Sequence, residues 1–367
     1  MEQVVGLTKG VVYVSPYYDP AVPSGANRRF DEITRRFPRD LGKDFTLIVA
    51  RGKTPPWWKG SSSNLVEVEY HFNHLSKFRA AREIAAALDR LPPSTVIIES
   101  VPIPYRALKR HAHFQVAYDF RYFASESKNL LYRLIFSAYL KNQWKRAQYF
   151  VTCSDFSISE LQKHVGFDPK RIVKSYFGID ERLLSEEASR PEPKTIDVIY
   201  VGHFEQRKNH APLLRAIAEV NKELRVCLVG VDNGLKQPLQ ELAHGLGLTN
   251  VTFETINNDA ALWKLYRQSR VFAYPSLYEG FGIPLIEALA LHIPVIASDI
   301  SIFHEVGGEF ATFFNPRDPQ DIARALRVAL ENPAPLDSDR VRAHLEKFVW
   351  ENIYKKFATD VRSMSGL

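Results

Sequence analysis

The feature that most constrains this chain is an alternation of short apolar strands and amphipathic helices that runs to about residue 180 and then starts again at 196. In the first round, GVVYVSP (10–16), FTLIVAR (45–51), STVIIES (94–100), FQVAYDF (114–120), QYFVTCS (148–154) and IVKSYFGID (172–180) read as strands. Helical periodicity falls between them, at 26–37 with Phe30, Ile33 and Phe37 on one face, and at 78–91, 129–147 and 155–166. The second round begins with IDVIYVGH (196–203) and the helix 209–220, and continues through LRVCLVG, VTFE, VFAYPS and IPVIAS. Repeated strand–helix alternation of this kind builds doubly wound α/β domains with parallel sheets. The polar, proline-rich stretch SEEASRPEPKT (185–195) between the rounds is the expected boundary. One long helix, about 341–364, is expected to end the chain. At 367 residues the chain has the length of two ordinary domains.

Composition narrows the classes. With 45% hydrophobic and 25% charged residues the chain is globular. No apolar run approaches a bilayer span, and the N-terminal segment lacks the pattern of a signal peptide. The two cysteines, Cys153 and Cys227, sit in apolar strand-like runs and read as reduced core residues, which points to the cytoplasm. The net charge of +6 is concentrated: residues 101–150 carry nine Lys or Arg against Asp119 and Glu126. Such a stripe implies an acidic neighbour, whether anionic lipid, a phosphorylated acceptor or nucleic acid. The near pairs His71/His74 and His111/His113 lack an evident third ligand, so a metal site is not expected there. Trp57 and Trp58, in a Pro/Gly/Ser segment that reads as exposed and mobile, would either stack on a sugar or cover an apolar surface.

Two segments carry chemistry. In YPSLYEGFGIPLIEALALHIPVIASD (274–299) a strand ends, a glycine turn follows, and a helix begins near Pro284. Gly280 and Gly282 let the backbone turn and approach a ligand without a Cβ in the way. The N–H groups of Phe281, Gly282 and Ile283 lie at the helix N-terminus, where positive partial charge accumulates. Glu279 and Glu287 flank the turn, and carboxylates accept hydrogen bonds from vicinal hydroxyls. A ligand rich in hydroxyls that also carries negative charge suits this arrangement. The alternative is an ordinary strand–helix turn whose glutamates favour the helix start. In YVGHFEQRKNHAPLL (200–214) a strand ends at Gly202, and Arg207 and Lys208 precede a helix expected to be capped by Asn209. Two cations beside a helix N-terminus make a diphosphate cradle, or else a solvated surface pair.

EGFGIPLIEALA resembles the EGFGLP-x-LEA signature of glycosyltransferase family 4, and Glu279 and Glu287 have its E-x7-E spacing. GHFEQRKN is similar to the G-T-L-E-P-R-K-N loop of one branch of that family, and the likeness is specific over roughly 150–335. The resemblance implies a GT-B fold, two Rossmann-like parallel-sheet domains facing a central cleft. These would be residues 1–184, with a C-terminal helix of about 348–367 crossing back, and residues 195–347. It implies a retaining transfer of a hexose from a UDP-, GDP- or dTDP-sugar to a glycan or lipid-linked acceptor, as in polysaccharide or lipopolysaccharide synthesis. A nucleotide-sugar epimerase or an inactive binding relative is the alternative. Arg207 and Lys208 would hold the diphosphate, Glu287 the ribose, and Glu279 the transferred sugar with the Phe281 and Gly282 amides nearby. Ile256 would lie against the base, and Gly25 would belong to the glycine loop near the phosphates. No cofactor, essential metal or nucleic-acid partner is expected, and a cytoplasmic enzyme held at the inner membrane face fits the basic stripe. Three positions depart from the family pattern: Tyr118-Asp119 stands for the usual His-Asp and is the acceptor-side candidate, Phe177-Gly178 stands for Asn-Gly, and His292 stands for a glycine expected to end a helix.

Overall fold

The computed structural model describes residues 10–22, 24–70, 74–99, 103–120, 141–142, 144–185, 192–333 and 336–366. The expected helix 129–147 lies largely outside these residues, as does most of 185–195. The chain divides into two compact units, Met1–Phe177 with Trp350–Leu367, and Gly178–Val349.

The first unit is a seven-stranded, all-parallel sheet in the order β3-β2-β1-β4-β5-β6-β7. Its strands are β1 (Val11–Ser15), β2 (Phe45–Ala50), β3 (Asn64–Val68), β4 (Thr95–Glu99), β5 (Ala112–Val116), β6 (Tyr149–Thr152) and β7 (Ile172–Lys174). The central strands VVYVS and FTLIVA are buried along their whole length, as a sheet covered on both faces requires. Alternation sends Val11, Tyr13, Phe45 and Leu47 into one core with Phe30 and Ile33, while Val12, Val14 and Ile48 meet Ile84 and Leu88 on the other face. The strand β3 falls at the end of a stretch read from sequence as a mobile loop. It is an edge strand with only Val68 buried, so its apolar signal is weak. The tryptophans before it are also ordered. Trp57 and Trp58 pack against the core around Phe45, and the Trp57 indole N–H donates to Asp31 at 2.9 Å. The apolar-cover reading of this pair is the one the fold adopts.

The second unit is a six-stranded parallel sheet in the order β10-β9-β8-β11-β12-β13. Its strands are β8 (Ile196–Val201), β9 (Val226–Val229), β10 (Val251–Glu254), β11 (Ser269–Tyr274), β12 (Val295–Ser298) and β13 (Ala311–Phe314). Counted from β8, this is the 3-2-1-4-5-6 order of the Rossmann fold, with its switch point between β8 and β11. The two units together have the α/β architecture of the GT-B fold.

The chain joins the second unit ahead of the proline-rich stretch. Ile179 donates its N–H to the Phe348 carbonyl at 3.0 Å and bridges Val349, and Leu183 is already buried. The end of the chain is two helices rather than one, Ser338–Leu345 and Trp350–Ser365. Between them a short turn, Glu346–Phe348, leads to extended Val349 (φ −73°, ψ 128°), the residue that bridges Ile179. The last helix places Trp350, Ile353, Tyr354, Phe357 and Val361 in the first unit's core. Tyr354 donates to Asp40 at 2.6 Å, and Glu351 pairs with Arg36 and Arg39.

His292 follows the helix Ile283–Ala290 in the left-handed conformation (φ 54°), as its place in a glycine position requires. That conformation costs a non-glycine residue roughly 1–2 kcal/mol, and the ring's Nδ1 is buried without a partner. His292→Gly is therefore expected to stabilise the fold by about 1 kcal/mol net of the extra freedom glycine gives the unfolded chain. Thermal unfolding checks this; a lower melting temperature would mean that the ring's packing outweighs the strain.

Candidate active site

The site forms where β8 and β11 end side by side. After Val201 the chain turns through Gly202 (φ 155°), where a Cβ would lie 2.5 Å from the Tyr200 hydroxyl. A short turn, Gln206–Lys208, then presents Arg207 and Lys208, its backbone closed by the Lys208 N–H on the Glu205 carbonyl at 3.0 Å. Asn209 precedes the helix His210–Val220, but its side chain does not cap it. With φ at 60° the amide is carried away from the helix and donates to the Pro316 carbonyl at 2.7 Å. From the other strand the chain runs through Glu279 to Gly282, which has φ 112° and lies so near Phe303 that a Cβ would come within 3.1 Å of its ring. Gly280 stays outside the left-handed region, so the turn depends on Gly282. The helix Ile283–Ala290 starts there, with Pro284 at its second position.

The two loops meet through a charge cluster. The Leu277 N–H donates to the Arg207 carbonyl at 2.8 Å. Lys208 Nζ donates to Glu279 Oε1 at 2.5 Å, and an Arg207 guanidinium nitrogen donates to Glu279 Oε2 and to the Tyr278 carbonyl, both at 2.9 Å. The guanidinium's other terminal nitrogen is 2.6 Å from Glu205. The Lys208 ammonium also sits 5.4 Å over the Tyr274 ring. Both cations are largely removed from water, at 17% and 7% side-chain exposure, so the solvated-pair reading fails. Burial alone would raise the Glu279 pKa; Lys208 and Arg207 reverse this and bring it to about 2. His210, buried beneath the same turn, is held neutral by burial and by Lys208, its pKa lowered to about 3.

The other residues singled out from sequence fall in several places. Glu287 is buried one turn into the helix that follows Gly282, Phe281 is buried, and Gly280 and Ile283 are half-buried. Ile256 is half-buried just after β10, at the edge of the same sheet. Gly25, Tyr118 and Asp119 belong to the first unit. Gly25 opens the helix Gly25–Thr34, capped by Ser24. Tyr118 is held in a network that sequence reading missed. Its hydroxyl accepts from Arg29 at 2.5 Å and donates to Glu99 at 3.1 Å. Glu99 also accepts from Tyr13 and Ser15, at 2.7 and 2.6 Å, and Arg29 donates to Ser175 at 2.8 Å. Glu99 was legible as the one charge closing the apolar run TVIIE. Glu205 stood inside the GHFEQRKN motif without a role. His111 and His113 accept backbone N–H groups from Ser94 and Gln148.

Known proteins are similar to this chain over the span that holds this geometry. Residues 182–346 match the family model described as Glycosyl transferases group 1, a span that holds the whole charge cluster. The serotype-specific mannosyltransferase WbdA of Escherichia coli is 34% identical over 192 residues, covering 50% of this chain and 22% of that protein. The O-antigen chain mannosyltransferase B of Escherichia coli is 28% identical over 221 residues, 56% of this chain and 58% of that protein. The chain thus spans less than two thirds of the length of these relatives. The crystal structure of a glycosyltransferase from Rickettsia africae superposes with a TM-score of 0.76 at 17% identity, over 97% of this chain and 98% of that one. The fold is that of the GT-B glycosyltransferases.

Removing Glu279 takes the carboxylate partner from buried Lys208 and leaves Arg207 paired with Glu205 alone. Glu279→Ala is expected to cost about 3–5 kcal/mol of stability, the usual result of breaking a buried pair from one side. Because its folded pKa lies below the unfolded value of 4.5, Glu279 stabilises the fold above pH 4.5, and this contribution is lost as pH falls toward 2. The Glu279→Gln protein should therefore show a flatter decline in stability over that range than the wild type, measured by denaturant titration at each pH. Parallel acid limbs would remove Glu279 from the balance.

Proposed function

We propose that the protein is a retaining glycosyltransferase that moves a hexose from a nucleotide diphosphate sugar to a glycan or lipid-linked saccharide. The observation that carries this reading is the Arg207–Lys208–Glu279 cluster at the sheet's switch point, where open α/β folds bind nucleotides. As the bond between the sugar C1 and the diphosphate oxygen breaks, negative charge grows on the leaving group. Arg207 and Lys208, in a site poor in water, stabilise it together with the positive end of the helix Ile283–Ala290. The acceptor oxygen bonds to C1 on the face the diphosphate leaves, and its proton passes to the departing phosphate oxygen. Retention rests on resemblance to glycosyltransferase family 4. Glu287 binds the ribose hydroxyls, Gly202, Gly280 and Gly25 leave room for the phosphates, and Ile256 covers the base. The names of the two Escherichia coli relatives favour mannose as the transferred sugar and a bacterial surface polysaccharide as the setting.

GDP, UDP and dTDP are to be screened for thermal stabilisation, since ligand binding raises apparent stability; no response to any of them sinks the donor reading. With the responding nucleotide's sugar, Glu287→Ala should lose roughly 1.5–3 kcal/mol of donor binding, the range for a hydrogen bond to a charged group. Lys208→Ala should lower turnover more than donor affinity, because leaving-group charge peaks in the transition state. Equal loss in both would make Lys208 a ground-state contact only.

The basic stripe supports attachment to an anionic membrane face. Among the described residues no helix is long and apolar enough to cross a membrane. Arg106, Lys109, Arg110, Lys145 and Arg146 are exposed, although Arg110 spends its guanidinium on the Asp89 and Leu91 carbonyls. Arg121, Lys128 and Arg133 lie outside the described residues. At about 1 kcal/mol per basic residue near anionic lipid, the protein should sediment with phosphatidylglycerol vesicles at low salt and be released at high salt. Absence of low-salt binding points instead to a water-soluble acceptor.

A further inference from the structure

Glu205 is the second carboxylate of the charge cluster, and its setting differs from that of Glu279 in every respect that governs whether it can leave. Glu279 is 8% exposed and is held by two cations through aligned hydrogen bonds. The Glu205 side chain is 23% exposed, and one cation holds it. Its Oε1 is within 2.6 Å of the guanidinium but makes no aligned hydrogen bond, so the contact is attraction without good geometry. Nor does the side chain support the loop. Glu205 precedes the turn Gln206–Lys208 with its backbone extended, the turn is closed by its carbonyl, and no side-chain cap is made. Its carboxylate is therefore free to rotate toward water without unmaking the turn.

The charges point the same way. Arg207 and Lys208 bring two positive charges, and Glu205 and Glu279 bring two negative ones. The cluster is neutral, which is a poor receptor for a diphosphate unless a carboxylate gives way. Diphosphate oxygens make stronger, bidentate hydrogen bonds to a guanidinium than a misaligned carboxylate does. We infer that Glu205 is a stand-in anion: it occupies the outer side of the Arg207 guanidinium until the donor diphosphate replaces it, while Glu279 remains as the permanent counter-ion that positions both cations. This rests on the reading that Arg207 and Lys208 hold the donor diphosphate. In this scheme Glu205 acts through Arg207 as a positioning residue. It holds the guanidinium in place when the site is empty, and it weakens the binding of any ligand that must displace it, the nucleoside diphosphate product included.

The test is calorimetric titration of the full chain with GDP, UDP and dTDP, comparing wild type with Glu205→Gln. The glutamine variant is expected to bind the nucleoside diphosphate about three- to tenfold more tightly, somewhat more than the coupling of a partly exposed ion pair, because like-charge repulsion with the phosphates is also removed. Glu205→Ala, which removes the carboxylate through a different side chain, should show the same gain and guards against a folding defect peculiar to one variant. A merely structural role predicts the reverse, because loosening the loop would weaken binding. If the wild type binds one of the nucleotides and both variants bind it equally or more weakly, the stand-in role is overturned and the donor reading survives. If the wild type binds none of the three, both fall together.

Discussion

Glu279 lies buried between the Lys208 ammonium and the Arg207 guanidinium, and the loops leaving β8 and β11 are held to each other through this carboxylate. Glu279 or Lys208 left without the other would be a buried charge short of its ion-pair partner, which is why the loops are tied at this point. The rest of the second unit serves this juxtaposition. Parallel pairing of β8 with β11 brings the two loop origins side by side. Gly202 leaves the space beside Tyr200 and Lys208, and Gly282 allows the close approach to Phe303 from which the helix Ile283–Ala290 departs. Tyr274, stacked on Phe303, offers its ring face to the ammonium from below.

The two units place a carboxylate at the same topological position and treat it in opposite ways. In the first sheet the switch point lies between β1 and β4, and Glu99 ends β4 there. Its oxygens accept hydroxyls from Tyr13, Ser15 and Tyr118, with the buried Arg29 reached through the tyrosine. Burial raises the Glu99 pKa, and the hydroxyls and Arg29 offset this only in part. For Glu279 the direct cations overturn the same burial and lower it. Hydroxyl donors do not supply what two ion pairs supply, so of these two switch-point carboxylates only Glu279 has its burial penalty overturned.

The doubly wound architecture was legible because its strands are buried on both faces and read as unbroken apolar runs, as in VVYVS and FTLIVA. Where a strand is at an edge that signal fades, and NLVEV has one buried residue to mark it. The break at Val349 was hidden because both flanking segments are helical and amphipathic; only the pairing with Ile179, 170 positions earlier in a chain of 367, explains it. The Arg–Lys pair and the two glutamates were found by spacing, since turn and helix geometry tie neighbouring residues together. What spacing does not contain is partnership across strands. Whether Arg207 and Lys208 were solvated or buried depended on Glu279, some seventy residues away, and the buried Arg29 looked like one more charge on a helix.

The tyrosine at position 118 shows how one replacement is absorbed by its surroundings. A phenol oxygen can accept one hydrogen bond and donate another at the same atom, and Tyr118 does both, linking a guanidinium to a carboxylate that do not bond directly. To donate to Glu99 the phenol must keep its proton, and burial, with Tyr13 and Glu99 close by, holds its pKa well above the ordinary value despite the opposing charge of Arg29. The ring is wedged edge-on against Phe177, the residue that stands in another departure from the family pattern. Both substitutions therefore belong to one packing solution: the aromatic pair fills the space, and the hydroxyl ties β4, β5 and the helix Gly25–Thr34 together. A hydroxyl so committed, with Tyr13 against it as well, serves to place Arg29 and Glu99.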